Sequence, residues 1–293
     1  MTDVMRVTAP CKINLHLRVL ERRTDGFHDI ESVFQLISLA DELSVSMTGD
    51  CPSCEVVSPL MALPRENTIT AAVDAFRAKT GIRQGVRIEV QKQVPSGAGL
   101  GGGSSDAAST LLALNRMFGT ALPVRDLAAM AAKIGSDVPF FLYGGAAVVR
   151  GRGEFITPIA SRDDLYGVLV WPGVASPTGA AYGLVDRAHE EGDDRGIDWP
   201  AVGELENMYR TPVSAWKFRN SFTSPVESVY PVIREARLAL RDCGAVYAEM
   251  SGSGSSVFGL FEDETAAEAA QKTLSARWGK VCKFLLLASS PMR

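Results

Sequence analysis

The chain has no apolar run approaching the ~20 residues a helix needs to cross a bilayer. Met1–Val7 carries charges and lacks the apolar centre of a secretory signal. These two gaps lead to the expectation of a cytoplasmic protein. A polybasic stretch is also missing, and the net charge is −4. No nucleic acid and no anionic membrane is therefore expected as a partner, since either would call for a concentrated positive field. Any phosphate must be held locally, by backbone amides and a few cations. The cysteines, Cys11, Cys51, Cys54, Cys243 and Cys282, are too sparse and odd in number for a disulfide framework. Cys51-Pro52-Ser53-Cys54 has C-x-x-C spacing, but no second C-x-x-C or H-x-x-x-H completes a zinc set. It reads as a coincidental pair in a polar loop. The histidines, His16, His28 and His189, are too scattered to announce a metal centre. Neither an internal repeat nor a long disordered tail is evident.

What is present is the material of a folded protein: 293 residues, 46% hydrophobic and 22% charged. That length suits two domains sharing a contact. Alternating apolar residues predict strands at 5–19, 30–39, 41–47, 86–91, 146–150, 166–171, 247–250 and 257–261. Helical spacing predicts helices over 67–80, 107–118, 124–134, 229–240 and 265–278. Residues 49–64 read as a loop and 190–195 as a charged connector. Pro158 and the run Arg162-Asp163-Asp164 interrupt the pattern near 156–163, so a boundary is placed there, with domains 1–159 and 160–293. The mixture of elements argues for a mixed α/β (α+β) protein.

The strongest chemical signal is Pro95-Ser96-Gly97-Ala98-Gly99-Leu100-Gly101-Gly102-Gly103-Ser104-Ser105-Asp106. Glycines leave backbone N–H groups open to a ligand. The helix that follows offers free N–H donors and a positive dipole end. Together they form an anion cradle suited to a triphosphate. Ser104 and Ser105 add hydroxyls for phosphate or a phosphate-bound magnesium. The loop is not a Walker A sequence, because no G-K-[ST] follows. Gly97, Gly99 and Gly102 spell G-x-G-x-x-G, but the acidic residue on a following strand that a dinucleotide site requires is not found.

That loop resembles the second motif of the GHMP kinases. Ala9-Pro10-Cys11-Lys12-Ile13-Asn14-Leu15 resembles the first motif, and Met250-Ser251-Gly252-Ser253-Gly254-Ser255-Ser256 the third. The three stand in the family's order. Arg23 to His28, Phe34-Gln35, Ser136 to Phe141, Gly151-Arg152-Gly153-Glu154, Pro172-Gly173, Thr178 and Tyr182 resemble a branch whose small-molecule substrate carries a cytidine diphosphate group. Cys11, Phe27 and Ser221 depart from its usual Ala, Tyr and Asp, and are expected to tune packing or substrate affinity.

The resemblance implies a two-domain GHMP fold with the active site in the cleft, ATP as co-substrate with Mg2+, and the glycine loop from Pro95 to Ser105 as the ATP site. It implies Asp137 as the base and Lys12 as its partner. It places Asn14, Phe27, His28, Asp137, Thr178, Tyr182, Gly252 and Ser253 at the substrate, with the aromatic rings and His28 at the base. Read alone, Asp137 is a helix N-cap before Val138-Pro139 and Lys12 an exposed strand lysine; for Phe27 and Tyr182, core packing is the alternative to a place at the base. Two alternatives stay open: another GHMP kinase, of the mevalonate-derivative or homoserine type, and a non-catalytic binding protein on the same fold. Metal ligands and oligomeric state are not legible.

Overall fold

A computed structural model describes residues 4–49, 51–192 and 196–289. Among them are ten strands and nine α-helices. The first sheet has six strands. β1 (Val4–Arg22) pairs with β2 (His28–Gly49), which also carries β4 (Gly85–Gln91) and β5 (Ala146–Gly151). β3 (Cys54–Val57) and β6 (Phe155–Ile159) close the two edges. All pairings are antiparallel except β3 with β4. Four helices belong to this half: α1 (Thr68–Thr80), α2 (Gly102–Met117), α3 (Val124–Ile134) and α4 (Val138–Tyr143).

The second sheet is antiparallel, in the order β10 (Lys280–Leu285), β7 (Tyr166–Trp171), β9 (Val257–Phe261), β8 (Tyr247–Met250). It is accompanied by α5 (Thr178–Glu191), α6 (Leu205–Arg210), α7 (Thr223–Val229), α8 (Pro231–Asp242) and α9 (Glu264–Ser275). None of the described helices is long and apolar enough to cross a membrane.

Three cores hold these layers together. Phe34, Leu43, Ile88, Leu111, Leu114 and Phe140 pack between the first sheet and its helices. Cys11, Ile13, Leu15, Leu169, Phe258 and Phe284 pack between the two sheets. Val168, Ala181, Val226, Ile233, Leu240 and Leu274 pack between the second sheet and its helices. One irregularity in β1 matters for function. Val7 and Ala9 belong to the first core, whereas Cys11, Ile13 and Leu15 belong to the second. The pairing register shifts between Pro10 and Lys12, where residues 37–39 of β2 bulge opposite Cys11, and β1 passes from one core to the other across this break. Downstream of that bulge, Lys12 and Asn14 face the side away from the inter-sheet core, yet both are buried.

Most predicted elements are present, with instructive differences. The spans 30–39 and 41–47 form a single strand, β2. The expected loop at 49–64 contains β3, a short edge strand that shows no alternation of its own. Cys51 and Cys54 are free thiols. The stretch at 156–163 contains β6 with Pro158 inside it, which an edge strand tolerates because one side needs no N–H donor. α5 was not foreseen at all. Of the connector at 190–195, the first residues end α5, and 193–195 lie outside the described residues.

Candidate active site

α2 begins at Gly102, inside the glycine run, rather than at Ala107. Gly101 stands before it with φ +67°, and the helix takes no side-chain cap there. Its first N–H groups are therefore presented to the loop rather than closed off by a serine or aspartate, as an anion site requires. Both ends of the loop are anchored by a buried ion cluster. Asp41 is fully buried, and its Oδ1 accepts the N–H groups of Gln93 (2.5 Å) and Val94 (2.8 Å). Lys92 Nζ bridges Asp41 Oδ2 at 2.5 Å and Asp106 Oδ2 at 2.8 Å. The cluster thus ties the exit of β4 to the first turns of α2. Burial pushes the Asp106 carboxyl up; the Asp41 carboxylate adds to this and Lys92 opposes it.

The three glycine- and lysine-bearing segments converge on Ser251. Its hydroxyl donates to the Gly99 carbonyl at 2.9 Å and accepts the Asn14 N–H at 3.2 Å. The approach is so close that a Cβ on Gly99 would lie 1.9 Å from the Ser251 carbonyl oxygen, and Gly99 has φ +77°. Gly97 also has positive φ, +63°, but open space around it. Gly99→Ala is therefore expected to cost about 2–4 kcal/mol of stability, from left-handed strain plus forced displacement of Ser251. Gly97→Ala should cost only ~1 kcal/mol. Chemical denaturation of both variants checks this, and equal losses would contradict the close approach.

Lys12 and Asp137 meet in the cleft. Asp137 is the N-cap of α4, yet its side chain makes no capping hydrogen bond; its Oδ2 lies 3.6 Å from Lys12 Nζ instead. Lys12 is 3% exposed, not a surface lysine. Its ammonium donates to Asn14 Oδ1 at 2.6 Å and stands 4.6 Å from the centre of the Phe34 ring. Asn14 in turn donates to the Ser32 hydroxyl. Burial pushes the Lys12 ammonium down from the ordinary lysine value, while Asp137 holds it partly up. If charged Lys12 is needed for turnover, activity must fall as pH rises through this lowered pKa. The alkaline limb of kcat/KM is expected below the ~10.4 of free lysine. A limb at or above that value would remove Lys12 from the reaction.

At the other end of the cleft His28 is buried, its Nε2 2.7 Å from Asp186 Oδ1 and its ring stacked on Tyr182 at 4.8 Å. Tyr182 and Asp186 are one turn apart on α5, so a single helix face supplies both contacts. Burial, and then the Asp137 charge, push the Tyr182 hydroxyl up to about 12. Phe27 is 56% exposed, so its ring is available at the surface rather than packed in a core. Thr178 Oγ1 lies 3.1 Å from Ser253 Oγ.

One cavity of about 1150 Å3 joins the glycine loop, the lysine–aspartate pair and the His28–Tyr182–Asp186 group, while Asp41 and Ser251 brace it from behind. A drug-sized ligand occupies a pocket of roughly 300–1,000 Å3, so there is room for two substrates. The glycine loop from Pro95 to Ser104 forms one wall. Lys12, Asn14 and Asp137 lie within it, with Phe27, His28, Thr178, Tyr182, Gly252 and Ser253. Ser105 does not line it. It is fully buried, and its hydroxyl donates to the Pro10 carbonyl at 2.6 Å, so it braces the loop against β1. Ala98 and Leu100 are buried and point into the inter-sheet core, leaving only their backbone for a ligand. Sequence reasoning missed Asp41, Lys92 and Asp186, and gave Ser251 only as a member of the third motif, without a role. Recognition of α5 would have offered Asp186, through its spacing from Tyr182; the others become meaningful only in three dimensions.

Residues 67–145 match the family described as GHMP kinases N terminal domain, and residues 197–280 match GHMP kinases C terminal. The chain belongs to the GHMP kinase family, whose phosphoryl donor is ATP, and its mixed α+β architecture is the GHMP kinase fold. Within the family, it is 46% identical over 278 residues to the 4-diphosphocytidyl-2-C-methyl-D-erythritol kinase of Treponema pallidum, covering 94% of this chain and 96% of that one. It is 38% identical to the enzyme of that name from Nitratidesulfovibrio vulgaris, across 98% of this chain and 100% of the relative. A crystal structure of 4-(cytidine 5'-diphospho)-2C-methyl-D-erythritol kinase superposes with a TM-score of 0.81 at 37% identity, covering 96% of this chain and 99% of that one.

Proposed function

We propose that this chain transfers the γ-phosphoryl group of ATP to the 2-hydroxyl of 4-diphosphocytidyl-2-C-methyl-D-erythritol, a step of non-mevalonate isoprenoid precursor synthesis, in the cytoplasm. The observation that carries this reading is the single cavity. It joins a phosphate loop, a lysine–aspartate pair and a pocket of aromatic rings with a histidine, and the relatives of that name match nearly the full chain. Residues 1–159 are assigned to ATP binding and 160–293 to the substrate side.

Asp137 accepts the proton of the attacking hydroxyl. The substrate oxygen bonds to the γ-phosphorus as the bond to the β-phosphate bridging oxygen breaks, and ADP leaves. Lys12, 3.6 Å from Asp137, pairs with its carboxylate and opposes negative charge building on the transferring group. Asn14 orients Lys12. The backbone of Pro95 to Ser104 cradles the phosphates. Phe27 and Tyr182 border the cytosine. With Nε2 held on Asp186, His28 keeps Nδ1 for the base edge.

No group of three or more His, Cys, Asp or Glu could cage a metal among the described residues. Magnesium needs no such cage, since it keeps waters and phosphate oxygens and takes one or two protein oxygens. Asp106 suits that role: it lines the cavity, is 3% exposed, and its Oδ1 has no hydrogen-bond partner. Mg2+ held there would neutralise phosphate charge.

ADP release measured with 4-diphosphocytidyl-2-C-methyl-D-erythritol, mevalonate and homoserine tests the reading. Turnover of the first alone is expected. Turnover of either of the others at a comparable kcat/KM would move the chain to another branch of the family, and turnover of none would make it a binding protein.

A further inference from the structure

Resting on that reading, we infer that Arg152 is the residue that holds the diphosphate of the second substrate and selects for it. The substrate has a base at one end and the reacting hydroxyl at the other, with two anionic phosphates between. The structure contains one element that touches both ends. Gly151-Arg152-Gly153-Glu154 is the turn of the hairpin joining β5 and β6. On one side, a Cβ on Gly153 would lie 3.2 Å from Ser136 Cβ and 3.5 Å from Asp137 Oδ1, so the turn rests against the proposed base. On the other, the Arg152 guanidinium stands 4.9 Å from the centre of the Phe27 ring. A diphosphate running from base pocket to Asp137 must cross this turn.

The cations of the cavity leave little choice. Lys12, Arg22, Lys92 and Arg152 are the lysines and arginines that line it among the described residues. Lys12 is held by Asn14 and Asp137, and Lys92 by two carboxylates. Arg22 uses its Nε on the Gly26 carbonyl at 3.2 Å. Arg152 makes no ion pair in the described structure: its neighbour Glu154 accepts the Arg152 backbone N–H, not its guanidinium. Its place over the Phe27 ring holds the guanidinium at the base end of the cavity, and a guanidinium edge matches phosphate oxygens bidentately. In a protein of net charge −4, that cation, which acts on the exposed Asp25 only through space, compensates the diphosphate locally.

The test uses the intact enzyme, with Arg152→Gln, Arg152→Lys and Arg22→Gln. Steady-state kinetics with 4-diphosphocytidyl-2-C-methyl-D-erythritol are combined with competitive inhibition by cytidine 5'-diphosphate and by cytidine. Arg152→Gln is expected to raise KM for that substrate about tenfold, with kcat and the KM for ATP little changed. It should also shrink the preference for the diphosphate over cytidine about tenfold while cytidine inhibits as before. Arg152→Lys should recover part of that preference. An unchanged preference in Arg152→Gln overturns the inference, as does its loss in Arg22→Gln alone. A wild type that neither turns over the substrate nor binds either nucleoside overturns the functional reading, and the inference with it.

Discussion

Replacing Asp137 with asparagine is expected to lower kcat about a hundred- to ten-thousand-fold, the usual range for loss of a general base, and to leave ATP affinity essentially intact. The substitution keeps size and shape. It removes no helix cap, because the Asp137 side chain makes no capping bond in α4. The ATP loop is braced by other contacts, those of Asp41, Lys92, Ser105 and Ser251, and none of them involves Asp137. The loss should therefore appear in kcat rather than in nucleotide binding. A second consequence follows from the charge pair. Asp137 is what holds the buried Lys12 ammonium up against burial. Without it the Lys12 pKa falls further, so the alkaline limb of the residual activity should move to lower pH. Single-turnover kinetics, an ATP-analogue titration and a pH profile measure these three effects. A variant with wild-type kcat would return Asp137 to the role of a plain helix terminus.

Removing the cytidine from the substrate is expected to cost at least about a hundredfold in kcat/KM. Methylerythritol 4-phosphate keeps the reacting hydroxyl and loses the remote grip. Stacking of a base on an aromatic side chain is worth roughly 1–3 kcal/mol in single-stranded nucleic-acid sites. Hydrogen bonds to the base edge add to that, and ~1.4 kcal/mol is tenfold. The pocket is built in advance: His28 is held by Asp186 and Tyr182, and Tyr182 is braced edge-on by Phe222 at 4.9 Å. A prearranged grip at one end leaves binding energy for orienting the hydroxyl at the other. His28→Ala should reduce the preference for the full substrate, because the truncated one never used that contact. Measuring kcat/KM for both substrates with both enzymes decides it. Equal values in the wild type would sink the base pocket.

Elements whose stability comes from a local pattern were legible in the residues alone. α3 is read at its observed bounds because its apolar positions recur with the helical period, and β8 and β9 because their short apolar runs are set off by glycine and serine. The glycine loop was legible for a similar reason: its chemistry is that of its own backbone. β3, β6 and α5 were not. β3 and β6 are short edge strands stabilised by pairing with β4 and β5. α5 buries little beyond Ala181 and Val185, so its apolar stripe is thin.

The site divides along the same line. Residue types and motif order pointed to Lys12, Asp137 and the loop. Only the folded chain sets Lys12 Nζ 3.6 Å from Asp137, just past the break in the β1–β2 pairing where Lys12 faces away from the inter-sheet core. The same holds for Ser105, which carries the right hydroxyl in the right loop but is turned under it onto Pro10. It holds again for Asp41, Lys92 and Asp106, three unremarkable charges until burial forces them together. Arg152 opposite Phe27 is a further case, since a hairpin turn and a loop meet only once the first sheet has formed. Backbone chemistry and periodicity are properties of neighbouring residues. Burial, pairing of charges and the direction a side chain faces depend on segments distant in sequence, and so appear only with the tertiary contacts.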